Sequence, residues 1–278
     1  MDEQIEKEIN SATRVERVTV PDLRGRKSAG EKVVMVTAYD YPAARIADRA
    51  GVDIVLVGDS LGMVVLGHKT VVPVTLEEIV HHVRAVRRGL KRALLVADLP
   101  FGSYQVSAEE ALRSAIVLMK EGAQAVKLEG GGSLFSTIRR MTDAGIPVMG
   151  HLGLTPQSVH MLGGHRTQGR EPEDAERIIQ DAKGLESSGA FGIVLETIPA
   201  SLAARITAEV SILTVGIGAG PACDGQVQVW HDLLGLTTGR SFGHVKRYAS
   251  LGQTAELALR DYAEDVRQGR FPAKEHSL

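Results

Sequence analysis

Six short apolar runs in this chain of 278 residues each end in an ionisable or small polar residue, and that repetition narrows the folds open to it. Val55-Leu56-Val57 leads into Gly58-Asp59-Ser60, and Leu94-Leu95-Val96 into Ala97-Asp98. Ala125-Val126 leads into Lys127-Leu128-Glu129, and Pro147-Val148-Met149 into Gly150-His151. Ile193-Val194-Leu195 leads into Glu196, and Val33 to Val36 into Thr37-Ala38-Tyr39-Asp40. An apolar run of this length reads as a strand buried on both faces of a parallel sheet. Charges gathered where such strands emerge belong to a shared site, because an unpaired buried charge is expensive. In a (β/α)8 barrel the C-terminal strand ends are where active sites sit.

The rest of the chain fits that architecture. Strands are expected at 33–37, 53–58, 93–98, 123–129, 146–150, 191–196, 211–216 and 227–231, with helices between them. Thr75 with Glu78 and Ser107 with Glu110 have the spacing that opens helices, and Gly122 closes the second. Regular alternation of strand and helix favours one TIM barrel over an open doubly wound sheet, which usually needs fewer strands at this length. Residues 1–17 lack an apolar face and read as a mobile N-terminal extension. Residues 18–278 are assigned to a single barrel domain with a C-terminal helix, 251–267, and a short tail. Two long loops, 59–74 and 151–171, leave C-terminal strand ends and are placed to cover the site.

Composition excludes several classes. A net charge of −2 with dispersed Lys and Arg gives no basic stripe for nucleic acid. No apolar stretch is long enough for a membrane span, and the acidic start is unlike a signal peptide. The single cysteine, Cys223, rules out an internal disulfide framework and fits a reducing, cytoplasmic location. It has no evident histidine partner and receives no nucleophilic role.

Strand alternation puts Lys127 and Glu129 on one side, Asp98 in phase with Val96 and Leu94, and Asp59 in phase with Val57 and Val55. Asp59, Asp98 and Glu129 would then crown three adjacent strands as an oxygen-rich site for Mg2+, with Lys127 beside them for an anionic substrate group. The competing reading is a structural ion-pair network. Glu196, flanked by Val194, Leu195, Ile198 and Pro199, is the candidate proton acceptor, or else a salt-bridged or helix-capping residue. His151 would bind substrate, orient Glu196 or serve as a hydrogen-bonded structural residue. Gly216-Ile217-Gly218-Ala219-Gly220 lacks the spacing of a dinucleotide fingerprint and reads as a close backbone approach.

The motifs also resemble a known family, ketopantoate hydroxymethyltransferase. The resemblance rests on Thr37 to Pro42, Val57 to Val64, Ala97 to Tyr104, Val126 to Gly131, Gly150 to Ser158, Leu195-Glu196, Gly216 to Gly220, Asp224 to Val227 and His231-Asp232. The tail Phe271-Pro272 with Glu275 to Ser277 extends it from about residue 18 to the end. It implies a barrel of the phosphoenolpyruvate/pyruvate type that transfers a hydroxymethyl group from 5,10-methylenetetrahydrofolate to 3-methyl-2-oxobutanoate. The product would be 2-dehydropantoate, on the route to pantothenate and coenzyme A. It further implies Asp59 and Asp98 as ligands of one Mg2+ per subunit and Glu129 as a further acid acting through water. Ser60 and Lys127 would contact the oxo acid, Glu196 would accept the proton, and the assembly would be a homodecamer. The sequence departs from the family pattern at Gly164 to Gly169, where an aromatic residue, Lys and Val are expected before Gln-Gly. It departs again at Arg240 to Val245, which replaces a more basic, Pro-containing stretch. Neither departure touches the positions assigned to the chemistry. A Mg2+-dependent C–C lyase on the same barrel and a non-catalytic oxo-acid-binding barrel are the alternatives.

Overall fold

A computed structural model of the protein describes residues 16–237 and 243–278. Eight parallel strands close into a barrel in chain order. They are β1 Val33–Thr37, β2 Ile54–Val57, β3 Leu94–Asp98, β4 Ala125–Lys127, β5 Val148–Gly153, β6 Gly192–Glu196, β7 Leu213–Ile217 and β8 Gly225–Gln228. The contacts divide into two compact units. The first ends at Val227, and the second runs from Gln228 to Leu278 and carries the helix Leu251–Arg267. None of that helix's residues is buried, and Leu257, Leu259 and Tyr262 stand exposed on it. No helix among the described residues is long and apolar enough to cross a membrane. The N-terminal extension up to residue 15, and residues 240–242 of the second departure, lie outside the described residues.

Local chemistry sets the helix boundaries. Thr75 and Glu78 form a reciprocal capping box that opens Leu76–Gly89. The Ser107 hydroxyl accepts from the Glu110 amide and opens Ala108–Glu121, which Gly122 ends in a left-handed conformation. Gly132–Leu134 forms a 3-10 turn before the helix Phe135–Asp143 takes over. The eighth strand lies earlier than the expected 227–231, and Trp230–Leu233 is helical. The reason is Gly225: a Cβ there would lie 2.5 Å from the Val33 carbonyl oxygen. This glycine, which reads as a strand breaker, is the residue that lets β8 close against β1.

Side chains of Ile54, Leu56, Leu94, Val96, Ala125, Met149, Val194, Leu213 and Val215 belong to the apolar core cluster that fills the barrel. The helix Val20–Ala29 contributes Leu23 to the same cluster from the N-terminal end. That end is sealed by ion pairs. Asp53 lies 2.7 Å from Arg26 and 2.7 Å from Arg92, and Lys27 lies 2.8 Å from Asp224.

Candidate active site

The core phase of the strands continues into the site. On β3, Leu94 and Val96 lead to Asp98; Ala125 leads through β4 to Lys127 and Glu129; Met149 leads to His151, and Val194 to Glu196. Asp98 and Lys127 are direct partners in the β3–β4 register. All of these polar side chains therefore gather at the C-terminal end of the barrel.

Asp59 arrives by a different route from the one alternation implies. The core residues of β2 are Ile54 and Leu56, not Val55 and Val57, so strict alternation would turn Asp59 away from the core. The strand ends at Val57, and the chain turns through Gly58, where a Cβ would stand 3.0 Å from Ser60 Oγ and 3.3 Å from Asp98 Oδ2. That turn brings the Asp59 amide within 3.0 Å of Asp98 Oδ2, to which it donates.

The charges form a connected chain. Lys127 Nζ lies 2.7 Å from Asp98 Oδ1 and 4.0 Å from Glu129 Oε1. His151 Nδ1 is 3.2 Å from Glu129 Oε1, and its Nε2 is 3.2 Å from Glu196 Oε2. Asp59, Asp98, Lys127, Glu129 and His151 are all buried, whereas the Glu196 side chain keeps 18% of its surface open. Glu196 is thus the member of the chain most open to solvent, with an imidazole beside it as well as the apolar neighbours read from sequence.

Burial and like charge work together on the acids. Burial raises Asp59 well above the usual carboxylate range, and the nearby charges of Asp98 and Glu129 add to it. Burial also raises Asp98, although Lys127 opposes the shift. Glu129 behaves oppositely: burial pushes it up, but the charge and hydrogen bond of His151 bring it below its ordinary value. For Lys127, burial is outweighed by Asp98, Glu129 and Asp59, so the ammonium form is favoured. His151 is raised to about 9, because Glu129 and Glu196 overcome burial and the charge of Lys127. The imidazolium form is thereby favoured.

Sequence reading missed a central residue of the site, Gln157. Its side chain is buried and its Nε2 donates to Asp59 Oδ2 at 2.8 Å and to the Leu99 carbonyl at 3.0 Å. Its backbone amide donates to Glu129 Oε2 at 2.9 Å, and its Oε1 accepts from the Tyr104 hydroxyl at 2.7 Å. One neutral side chain thereby ties the turn after β2 to the loop after β5. Both Gln157 and Tyr104 sit inside motifs quoted above, and only their neutrality hid them. Ser60 is placed at the rim, with its hydroxyl 2.8 Å from that of Tyr39.

The donor set fits a small hard cation in part. Asp59 and Asp98 are buried carboxylates held above their ordinary range in a crowded acidic site, which is the setting a divalent ion relieves. A three-acid cage is not preformed: among the described residues, no group of three or more His, Cys, Asp or Glu side chains is arranged to hold a metal ion. Glu129 instead engages the Gln157 amide and His151. Two carboxylates, with remaining positions left to water or substrate, match the coordination habit of Mg2+.

The fold and the site together define a (β/α)8 barrel with its acids, lysine and histidine at the C-terminal rim. Solved structures share the fold. Phosphonopyruvate hydrolase, crystallised with oxalate and Mg++, aligns with a TM-score of 0.60 at 13% identity, over 92% of each chain. 2,3-Dimethylmalate lyase, a PEP mutase/isocitrate lyase superfamily member, aligns with a TM-score of 0.58 at 15% identity, over 93% of this chain and 91% of the other. Sequence comparison resolves the particular family. The family model of ketopantoate hydroxymethyltransferase matches residues 17–274. The 3-methyl-2-oxobutanoate hydroxymethyltransferase of Moorella thermoacetica is 56% identical over 94% of this chain and 98% of the relative. The enzyme of the same name from Carboxydothermus hydrogenoformans is 53% identical over 95% of this chain and 96% of the relative. The chain belongs to the ketopantoate hydroxymethyltransferase family.

Proposed function

We propose that this chain transfers a hydroxymethyl group from 5,10-methylenetetrahydrofolate to 3-methyl-2-oxobutanoate, giving 2-dehydropantoate for pantothenate and coenzyme A synthesis. The observation that supports the reading is the connected row Asp98–Lys127, Glu129–His151–Glu196, which runs from buried acids to a single partly exposed carboxylate. Lys127 is a buried ammonium suited to offset the carboxylate of the oxo acid, and Ser60, whose hydroxyl lies 2.8 Å from that of Tyr39, is proposed as a further contact to it. A Mg2+ ion held by Asp59 and Asp98 would supply Lewis acidity to the keto oxygen and so acidify the C3 proton. Glu196 Oε2 accepts that proton. The His151 ring stands between the two acids, with Nε2 3.2 Å from Glu196 Oε2 and Nδ1 3.2 Å from Glu129 Oε1. The C3 carbon then takes up the one-carbon unit: a C–C bond forms, both bonds from that carbon to the folate nitrogens break, water supplies the hydroxyl oxygen, and tetrahydrofolate leaves.

The lyase alternative draws on the shared fold alone. It would want a nucleophilic or acid cysteine in a loop at the site, but Cys223 is buried and burial pushes its thiol up. The deciding assay incubates the protein with 3-methyl-2-oxobutanoate and methylenetetrahydrofolate, with and without Mg2+. Mg2+-dependent formation of 2-dehydropantoate supports the transferase. Release of pyruvate or glyoxylate from a longer acid, without one-carbon transfer, would replace it with the lyase. A homodecamer in the cytoplasm belongs to the same proposal; the exposed Leu257, Leu259 and Tyr262 on the C-terminal helix are in keeping with self-association. Light scattering giving the mass of one chain would remove the assembly from it.

A further inference from the structure

Asp59 and Asp98 each have one carboxylate oxygen committed to an uncharged N–H. Oδ2 of Asp98 accepts from the Asp59 amide at 3.0 Å, and its Oδ1 lies 2.7 Å from Lys127 Nζ. Oδ2 of Asp59 accepts from Gln157 Nε2 at 2.8 Å, which leaves Oδ1 outside that bond. The cap on Asp98 is backbone. The cap on Asp59 is a side chain, and the sequence could have placed another residue there.

The Gln157 amide is locked in this orientation. Its Nε2 also donates to the Leu99 carbonyl at 3.0 Å, and its Oε1 accepts from the Tyr104 hydroxyl at 2.7 Å and from Gln105 Nε2 at 3.3 Å. Leu99 and Asp59 offer only acceptors, whereas Tyr104 and Gln105 supply donors, so the nitrogen end must face Asp59. Withdrawing the side chain would break all of these bonds at a buried position, where unmade hydrogen bonds are costly. The positive N–H end of the amide therefore stays against Oδ2 and disfavours a cation that bridges both oxygens of Asp59. That restriction bears on ion choice. Ca2+ gathers six to eight oxygens and often takes both from one carboxylate, whereas Mg2+ is smaller, keeps strict octahedral geometry and retains water in several positions.

We propose that Gln157 is a specificity-determining positioning residue: by holding Oδ2 it limits Asp59 to one oxygen and so favours Mg2+ over Ca2+. The proposal rests on Asp59 and Asp98 being the ligands of the cation. The test titrates MgCl2 and CaCl2 separately into the chelator-treated protein, followed by calorimetry. Wild type should bind Mg2+ the more tightly. Gln157→Met removes the donor at nearly equal length, and its Mg2+ to Ca2+ affinity ratio should fall at least fivefold. Gln157→Asn draws the amide back by one methylene and should move the ratio the same way, so the test stands even where Gln157→Met does not fold. Tyr104→Phe removes a bond from the same amide without touching Asp59, and should keep the ratio within twofold of wild type. A smaller fall in both Gln157 variants, or a weakening of both ions by one factor, would overturn the proposal, since a merely structural role moves the two affinities together. A shift in Tyr104→Phe as large as that in Gln157→Met would also overturn it, making the stiffness of the network the cause. Absence of Mg2+ binding in wild type would instead overturn the cation site itself, and this proposal with it.

Discussion

The two ends of the barrel handle buried acid in opposite ways. At the N-terminal end Asp53 accepts from the Val34 amide and sits between Arg26 and Arg92. Burial alone would raise it, but those bonds and charges bring it below the ordinary carboxylate value of 3.8. At the C-terminal end Asp59 and Asp98 lie above that value, because burial and neighbouring acids outweigh Lys127 for Asp59, and burial outweighs Lys127 for Asp98. Acids at one end hold the fold together. Acids at the other are held by the fold in an unfavourable state, which the proposed cation would relieve. The division matches the general assignment of stability to the bottom of such barrels and chemistry to the top.

The sharpest way to break this comparison is to remove the lysine among the site's acids. Lys127→Ala leaves Asp98 and Glu129 buried beside each other, and should destabilise the protein by about 3–5 kcal/mol in denaturant unfolding. It should also raise KM for the oxo acid more than for the folate. A stability loss below about 1 kcal/mol would mean that the acids neutralise by taking up protons, and that Lys127 is not what holds them.

Glu196→Gln tests the other side of the site. Turnover should drop by about 10²–10⁴-fold, the usual reach of a positioned general base, with unfolding midpoints close to wild type. Equal losses of stability and turnover would make Glu196 a structural partner of His151 instead.

At the bottom, Asp53→Asn should cost about 2 kcal/mol and leave KM and kcat unchanged. Because the folded carboxyl lies below its unfolded value, its contribution is present above about pH 3.8 and lost as pH falls through the lower folded value. The variant should therefore show a flatter acid limb in a plot of melting temperature against pH. An unchanged limb would contradict the pairing.

Asp59→Asn should do the reverse. A folded carboxyl raised above its unfolded value weakens the fold at neutral pH and is relieved as pH falls through the raised value. In chelator, the variant should melt about 2–4 °C higher, the shift that about 1 kcal/mol produces in a domain of this size. It should be inactive and should no longer gain stability on mild acidification. A lower melting temperature would show that the bond from Gln157 matters more to the fold than the charge.

The sequence by itself determined the barrel and pointed to most of the polar residues that cluster at its mouth. Buried parallel strands must be apolar throughout, so each polar residue that ends one announces itself, and alternation put Asp98, Lys127 and Glu129 on the phase that the core residues of β3 and β4 share. Capping residues marked helix starts for the same local reason: Thr75 and Ser107 bond within their own first turns. Tertiary structure decided what depends on approach between distant segments. Gly225 closes the barrel because Val33 passes beside it, and Asp59 enters the site through a turn shaped around Asp98 rather than through strand phase. Gln157 joins loops after β2 and β5 across 98 positions of sequence, through an uncharged amide that no local pattern sets apart. Thr197 reads as an ordinary strand-end threonine until the chain on both sides forces its backbone left-handed. Periodicity and capping are properties of neighbours along the chain and can be read there. Packing distances, a buried residue's charge state and backbone strain come from neighbours in space, which only the closed barrel brings together.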